Sequence, residues 1–383
     1  MRIVKMNFKT EVYENHFLEK DKEYIISDQV LQKLLQFHPG CLVEEKKFLD
    51  FYVPLDLSKF QKGDSLLLFR SGGIGDVMFM LPLVSFLVRK YQAKITFGTS
   101  PQYIPILFGN SEILKTVTMP LLLDELKNNS FHLMFEGIIE KNNEMARSIH
   151  SVDLFLERAG INFEELSFEE KLPKLSIRDS EKKFFKERII FDERKSIGIQ
   201  IQASSPKRSY PAGKVIELTR KLVKEDYRVY LFGGKFQVDF AKYLENEFKE
   251  ETGLVKNLVS PSSSVRDAIV LASFMDLIIA PDSSFVHIAG ALGIPLIGLY
   301  GPFPSVLRLK YYTKAIGLDA STSCSPCFKH GHDPCVLGDP PPCLSLITPD
   351  LIMETVGYLL EGKLFENKEC LFYESGNLVP SDL

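Results

Sequence analysis

Tryptophan is missing from the 383 residues, while phenylalanine occurs 29 times. Aromatic packing must therefore rest on Phe and Tyr, and the imbalance carries no functional content by itself. A charge bias is missing too: 46 Lys plus Arg against 50 Asp plus Glu leave a formal net charge of −4. Nothing global draws such a chain to nucleic acid or acidic lipid, so any anion site must be built locally. No window approaches the roughly 18 apolar residues of a spanning helix. The best candidate, DAIVLASFMDLIIA at 267–280, is interrupted by Asp276. The opening MRIVKMNFKTEVYENHF alternates charged and apolar residues and holds no signal-type apolar core. Cysteine is scarce, and four of the six crowd between Cys324 and Cys343, unlike a secreted disulfide scaffold. The expected compartment is the cytoplasm. With 45% hydrophobic and 25% charged residues the composition is that of a folded globular chain, which excludes disorder, collagen and coiled coil.

What is present alternates between strand and helix patterns. At about 150 residues per domain the length allows two to three domains. Residues 1–62 read as a small α+β appendage: RIVKMNF and EEKKFLDFYVPL have strand alternation, and SDQVLQKLLQF carries Ser27 as a candidate helix cap. From 63 the buried-strand run SLLLFR leads through SGGIGD into a helix over 77–91, and AKITFG is the next strand. The charged stretch 173–195 reads as an exposed helix and linker. A second series follows with the strands SIGIQI, RVYLF, DLIIA and LIGLY separated by helical stretches. Alternation of this kind implies βαβ units and parallel sheets. The expected division is an appendage at 1–62, a Rossmann-like domain at 63–190, a second at 191–348, and terminal helices at 349–383 that cross back to the first. Two doubly wound halves would bind ligand in a cleft beyond the strands' carboxyl ends.

Three segments at such ends carry chemistry. Arg70-Ser-Gly-Gly-Ile-Gly-Asp76 places Gly72, Gly73 and Gly75 where backbone N–H groups can meet a ligand, with Asp76 in the first helical turn. Helix cap and catalytic carboxylate are the two readings of Asp76. The turn lacks the third glycine of a dinucleotide fingerprint. In the loop 202–211, Ser204, Ser205, Lys207 and Arg208 supply hydroxyls and cations suited to a phosphate or diphosphate, against a bland reading as a solvated loop. In the third, Asp282, Ser283 and Ser284 cap a helix whose N–H groups point at an anion, with His287 one turn on; a buried, satisfied histidine is the alternative there.

Taken together, LLLFRSGGIGDVMFMLPLVSFLVRKY, the stretch IGIQIQASSPKRSYPAGKVIELTRKLVKEDYRVYLFGG and DLIIAPDSSFVHIAGALGIPLIGLYGP resemble glycosyltransferase family 9, the ADP-heptose:lipopolysaccharide heptosyltransferases. The likeness runs from about residue 63 to 362. It implies a GT-B fold and inverting transfer of a sugar, a heptose from ADP-heptose, to a hydroxyl of a lipopolysaccharide-core or related glycan. It also implies Asp76 as base, Lys207 and Arg208 on the diphosphate, and Asp282–Ser284 with His287 on the phosphates. No cofactor is required for such catalysis, and no nucleic acid is expected as partner. The resemblance also implies a glycan or lipid-linked acceptor, met by peripheral contact with the inner membrane. Ser284 stands where the family has Gly, Tyr210 where Trp is common, and Arg208 aligns with the lysine of K-x-W-P. An acidic nucleoside contact is expected after the Gly-Gly turn, and Asp239 is the nearest candidate.

Cys324, Cys327, Cys335 and Cys343 form a C-x2-C-x7-C-x7-C pattern, with His330 and His332 as spare ligands. A structural zinc or iron, one or two disulfides, and free thiols are the three readings, and each would be a local clip. Two rival functions stand beside the transferase: another GT-B nucleotide-sugar enzyme with a different donor or a protein acceptor, and a non-catalytic nucleotide- or nucleic-acid-binding module with a cysteine clip. The acidic balance and the lack of a basic aromatic stripe weigh against the latter.

Overall fold

The computed structural model describes residues 1–13, 16–135, 144, 147–249, 253–320, 322–328, 335–361, 371–374 and 377–380. They fall into two units, Met1–Asn142 with Val152–Glu170, and Asn143–Ser151 with Lys171–Leu383.

The first unit holds two sheets. The antiparallel one is built from β1 (Arg2–Met6), β4 (Glu23–Ile26) and β5 (Leu42–Lys47), with a separate hairpin of β2 (Thr10–Tyr13) and β3 (His16–Leu18). The parallel one is β6 (Ser65–Phe69), β7 (Lys94–Thr99), β8 (Ile113–Thr118) and β10 (Phe131–Met134), in the order β10-β6-β7-β8. The composition shift near residue 62 is not a boundary. A two-residue strand from the parallel half, β9 (Leu121–Leu122), pairs antiparallel with β4, Tyr24 opposite Leu122. Side-chain alternation then puts Ile3 and Ile25 in one core with Leu67, Phe69, Val117 and Leu121. The opposite face, Val4, Tyr24 and Ile26, closes over Leu31 and Leu34 of the helix Asp28–Phe37, whose cap Ser27 accepts from Val30 N. A segment too small to hold a core alone is thereby completed by its neighbour.

In the second unit eight strands run β13-β12-β11-β14-β15-β16-β17-β18: β11 (Ser196–Gln200), β12 (Arg228–Phe232), β13 (Val255–Asn257), β14 (Leu277–Pro281), β15 (Leu296–Tyr300), β16 (Ala315–Asp319), β17 (Leu371–Glu374) and β18 (Asn377–Pro380). All pairings are parallel except β17 with β18. Strands β12, β14 and β15 are buried at every position, as continuous apolar runs in a sheet covered on both faces must be.

Two expectations change here. The stretch 173–195 folds onto the second unit: Arg266 donates to both Glu181 carboxylate oxygens at 2.7 and 2.6 Å and to Ser176 O at 2.8 Å. The helix Pro349–Leu360, capped by Thr348, falls in the second unit. Its Ile352, Val356 and Leu359 recur at helical spacing and join the core that holds Val215, Leu218 and Leu222 of the helix Ala212–Lys224. Residues 362–370 lie outside the described residues, and β17 beyond them pairs with β16 in the second unit.

Candidate functional site

In the first unit β6 delivers Arg70 into the core, 2% exposed. Its Nη1 donates to Phe135 O at 2.9 Å and its Nη2 to Asp76 Oδ2 at 3.0 Å. The same Oδ2 accepts from Gly73 N at 3.0 Å at the start of the helix Ile74–Phe79. A Cβ at residue 72 would stand 2.5 Å from both Arg70 Nε and Asp76 Oδ2, so a larger residue there must displace the pair. Asp76 is thus a helix-start acceptor and half of an ion pair, with its side chain still 24% exposed. Gly72 and Gly73 shape the turn, and Gly75 lies in the helix.

In the second unit the order β12-β11-β14-β15 reverses direction between β11 and β14, the place where doubly wound sheets take ligands. The loop after β11 is fixed by Ser209, whose Oγ accepts from Ala203 N at 3.1 Å and donates to Ser205 O at 3.0 Å. Tyr210 anchors it by donating to Ile347 O at 2.8 Å. Ser205 and Lys207 are buried, Ser204 is exposed. Arg208 donates to Ser204 Oγ at 3.4 Å, and its Nη1 lies 3.8 Å from Asp282 Oδ2. Arg208 thereby reaches the loop after β14.

That second loop is tied back to β11. Ser283 caps the helix Ser284–Ala291, accepting from Phe285 N at 3.1 Å and donating to Gln200 Oε1. Asp282 N donates to Leu299 O at 3.0 Å. Asp282 is 3% exposed, yet its Oδ2 and the Nε of Arg208 are buried without a hydrogen-bond partner among the described residues. Native interiors rarely tolerate such groups without a ligand, ion or water to satisfy them.

His287 is buried and shares a hydrogen bond with Tyr312 OH at 3.3 Å. Burial first, then Arg308, His150 and Arg208, hold its pKa well below the usual histidine value, so the ring is neutral near pH 7. It can donate or accept a hydrogen bond but supplies no charge to an anion. Tyr312 comes this close because residue 290 is glycine, where a Cβ would meet its ring at 2.3 Å. Asp239 lies exposed in the first turn of the helix Val238–Glu247.

The cysteine loop docks beyond β15. Ser325 Oγ donates to Gly301 O at 2.5 Å, and Phe328 N to Pro302 O at 2.8 Å. Burial raises the Cys343 thiol pKa, and Cys335, Cys324 and Cys327 nearby push it the same way. None of the described cysteines is disulfide-bonded, and among the described residues no three potential ligands converge as a metal set. His330 and His332 lie outside the described residues.

A profile of glycosyltransferase family 9 (heptosyltransferase) matches residues 143–334, half of the chain. The chain belongs to glycosyltransferase family 9. Lipopolysaccharide heptosyltransferase 1 of Campylobacter coli is 30% identical over 148 residues, 37% of this chain and 41% of the relative. The chain thus aligns with less than half the length of that curated relative. E. coli ADP-heptose lipopolysaccharide heptosyltransferase II has a similar solved structure, with TM-score 0.55 and 21% identity over 78% of this chain and 99% of that one. The iron-containing dodecameric glycosyltransferase TibC of enterotoxigenic E. coli H10407 gives TM-score 0.57 at 12% identity, covering 91% and 87%. At these identities the two structures establish the fold: α/β, GT-B, with two Rossmann-like units.

The family-9 profile spans Arg208, Asp282–Ser284 and His287, and it ends before Cys335 and Cys343. From the sequence, Arg70 is named only as the start of the Gly-rich turn, and neither Gln200 nor Tyr300 is singled out. Arg70 is a cation closing an otherwise apolar buried strand, which is the signal that could have marked it. Gln200 is a polar residue at the end of a buried strand. Tyr300 offers no signal, since its hydroxyl is buried inside an apolar run and lacks a partner among the described residues.

Proposed function

We propose that the protein is an inverting glycosyltransferase that moves a heptose from ADP-heptose to a hydroxyl of a lipopolysaccharide-core or related glycan. The observation that carries this is the guanidinium of Arg208, whose Nε has no partner among the described residues, beside the start of the Ser283-capped helix between β11 and β14. An N–H of a guanidinium and the first N–H groups of a helix are donors for a diphosphate. Relatives named as lipopolysaccharide heptosyltransferases supply the sugar and acceptor class.

In the reaction the acceptor oxygen bonds to the anomeric carbon as the bond from that carbon to the diphosphate oxygen breaks. Negative charge gathers on the leaving nucleotide, where Arg208 and the helix start stabilise it. Ser204, Ser205, Lys207, Ser283 and Ser284 line the loops that hold it. The acceptor proton passes to Asp76, whose carboxylate Arg70 and Gly73 N–H hold in one orientation. Lys207, being buried, supports the loop more than it meets the ligand. Asp239 is the nucleoside contact in this reading.

No step uses the cysteine cluster. Its role is a local clip for the loop after β15, and zinc or iron is the metal class four thiolates would take. As placed they do not form a ligand set, so the clip is tested directly: metal analysis of protein purified without added metal, against a thiol count under denaturing conditions. Among the described residues no helix is long and apolar enough to cross a membrane. The reading places the enzyme in the cytoplasm, reaching a lipid-linked acceptor at the inner membrane surface.

Thermal-shift titration with ADP-, GDP- and UDP-sugars tests the donor. Stabilisation by ADP-heptose above the others supports the reading. Selective stabilisation by a GDP- or UDP-sugar would assign the chain to another nucleotide-sugar chemistry on the same fold.

A further inference from the structure

Phe236 is the most exposed large apolar side chain among the described residues, at 87%. A single exposed Phe needs no explanation in general; the position of this one does. It lies on the turn Lys235–Gln237, which leaves β12 through Gly233 and Gly234 at the carboxyl edge of the parallel sheet. Phe232 sits opposite Gln200, and Ile201 N donates to Phe232 O at 3.0 Å. The Phe236 turn and the Ser204–Arg208 loop therefore leave adjacent strands at the same edge.

The turn is braced. Gly234 N donates to Gln237 Oε1 at 2.8 Å, and Gln237 N to Gly234 O at 3.0 Å. A Cβ at Gly233 would stand 3.1 Å from Gln237 Cβ and 3.4 Å from Val259 Cγ2, so the strand end packs closely around Gln237. Phe236 is left exposed beside it, with Lys235 Nζ 5.2 Å from the ring centroid.

Neighbouring strands are about 4.8 Å apart, so β12 on one side and β15 on the other are the strand ends next nearest a diphosphate held between β11 and β14. The β15 side is occupied: Gly301–Phe303 are covered by the cysteine loop, through Phe328 N on Pro302 O and the edge-on Phe303–Phe328 ring pair at 5.6 Å. The β12 side offers the open Phe236 ring. Every nucleobase has a π-face, so an exposed ring is a sequence-tolerant platform for one.

We propose that Phe236 is the platform on which the nucleobase of the donor stacks; this deepens the donor-binding reading and rests on it. Stacking holds the base without choosing it, and the choice falls to polar groups around the ring.

The test measures calorimetric binding of ADP and of inorganic pyrophosphate to the wild type, Phe236→Ala and Phe236→Trp. The expectation is that Phe236→Ala weakens ADP roughly 10-fold or more while pyrophosphate binding stays as in the wild type. Phe236→Trp retains ADP affinity, and as the sole tryptophan of the chain its fluorescence changes on ADP and not on pyrophosphate. Unchanged ADP affinity in Phe236→Ala overturns the stacking assignment alone, and so does an equal loss of ADP and pyrophosphate. A wild type that binds pyrophosphate but no ADP, GDP or UDP overturns the donor reading and the platform with it.

Discussion

Arg208 and Asp282 come from loops on neighbouring parallel strands, and they meet with the guanidinium Nη1 3.8 Å from the carboxylate Oδ2. The separation is longer than a direct hydrogen bond, and both partners keep buried polar atoms unsatisfied. Arg208 is thus restrained by Asp282 without being consumed by it, which leaves donor capacity for an incoming anion.

Arg208→Ala should weaken ADP binding by about 10- to 100-fold, the loss of one or two hydrogen bonds to a charged group. Arg208→Lys should recover only part of this, because a point charge cannot reproduce the planar fork. Calorimetry with ADP measures both, and the wild-type affinity should fall more steeply with salt than that of Arg208→Ala.

Asp76→Asn should lower turnover by about 10²- to 10⁴-fold, the usual contribution of a positioned base, with ADP affinity unchanged. Gly72→Ala should act in the same direction, because its Cβ would displace the Arg70–Asp76 pair. Turnover and ADP binding measured on the same preparations separate this from a folding defect. Near wild-type turnover by a folded Asp76→Asn enzyme would remove the carboxylate from the chemistry.

Ile25 is fully buried between the amino-terminal sheet and the parallel sheet. Ile25→Ala should cost about 2–5 kcal/mol, read as a shift in chemical denaturation of the first unit. Leu49→Ala, at a residue 77% exposed, should stay within about 0.5 kcal/mol.

His150 is buried, with Nε2 3.4 Å from Arg308 O and its ring edge-on to Tyr311 at 4.8 Å. Burial, opposed by the hydrogen bond to Arg308 O and aided by the charges of Arg308, Lys310 and Lys171, pushes its pKa down from 6.5 to about 3. Above pH 6.5 the ring is neutral folded or unfolded. Between 6.5 and about 3 only the unfolded chain takes the proton, so stability is lost as pH falls through that window. His287 adds in the same sense. Urea denaturation of the wild type and His150→Gln across pH 4–7.5 should show the variant losing less stability on acidification, by about one proton's worth of slope.

The parallel strands were legible because each is a short, unbroken apolar run ending in a glycine or polar loop, and the three chemistry-bearing loops stand at those ends. The Arg70–Asp76 and Arg208–Asp282 pairings were not, since a strand-to-turn closure and a contact across two loops are set by packing. The weld between the amino-terminal sheet and the parallel sheet depends on Leu121 and Leu122, two residues far from β4 in sequence and too short to announce a strand. The helix Pro349–Leu360 showed its periodicity and its Thr348 cap plainly. Its destination depended on a matching stripe on the helix Ala212–Lys224, which no local pattern reveals.

The proposed reaction transfers a sugar from a nucleotide diphosphate whose phosphates lie between β11 and β14. Mass spectrometry of the products after incubation with ADP-heptose and lipid A-core acceptors tests it most directly. The expected products are a glycan heavier by one heptose and ADP, with neither formed by Arg208→Ala at donor concentrations that saturate the wild type. An acceptor of unchanged mass with every donor and core acceptor tried, from protein that binds ADP, would contradict it.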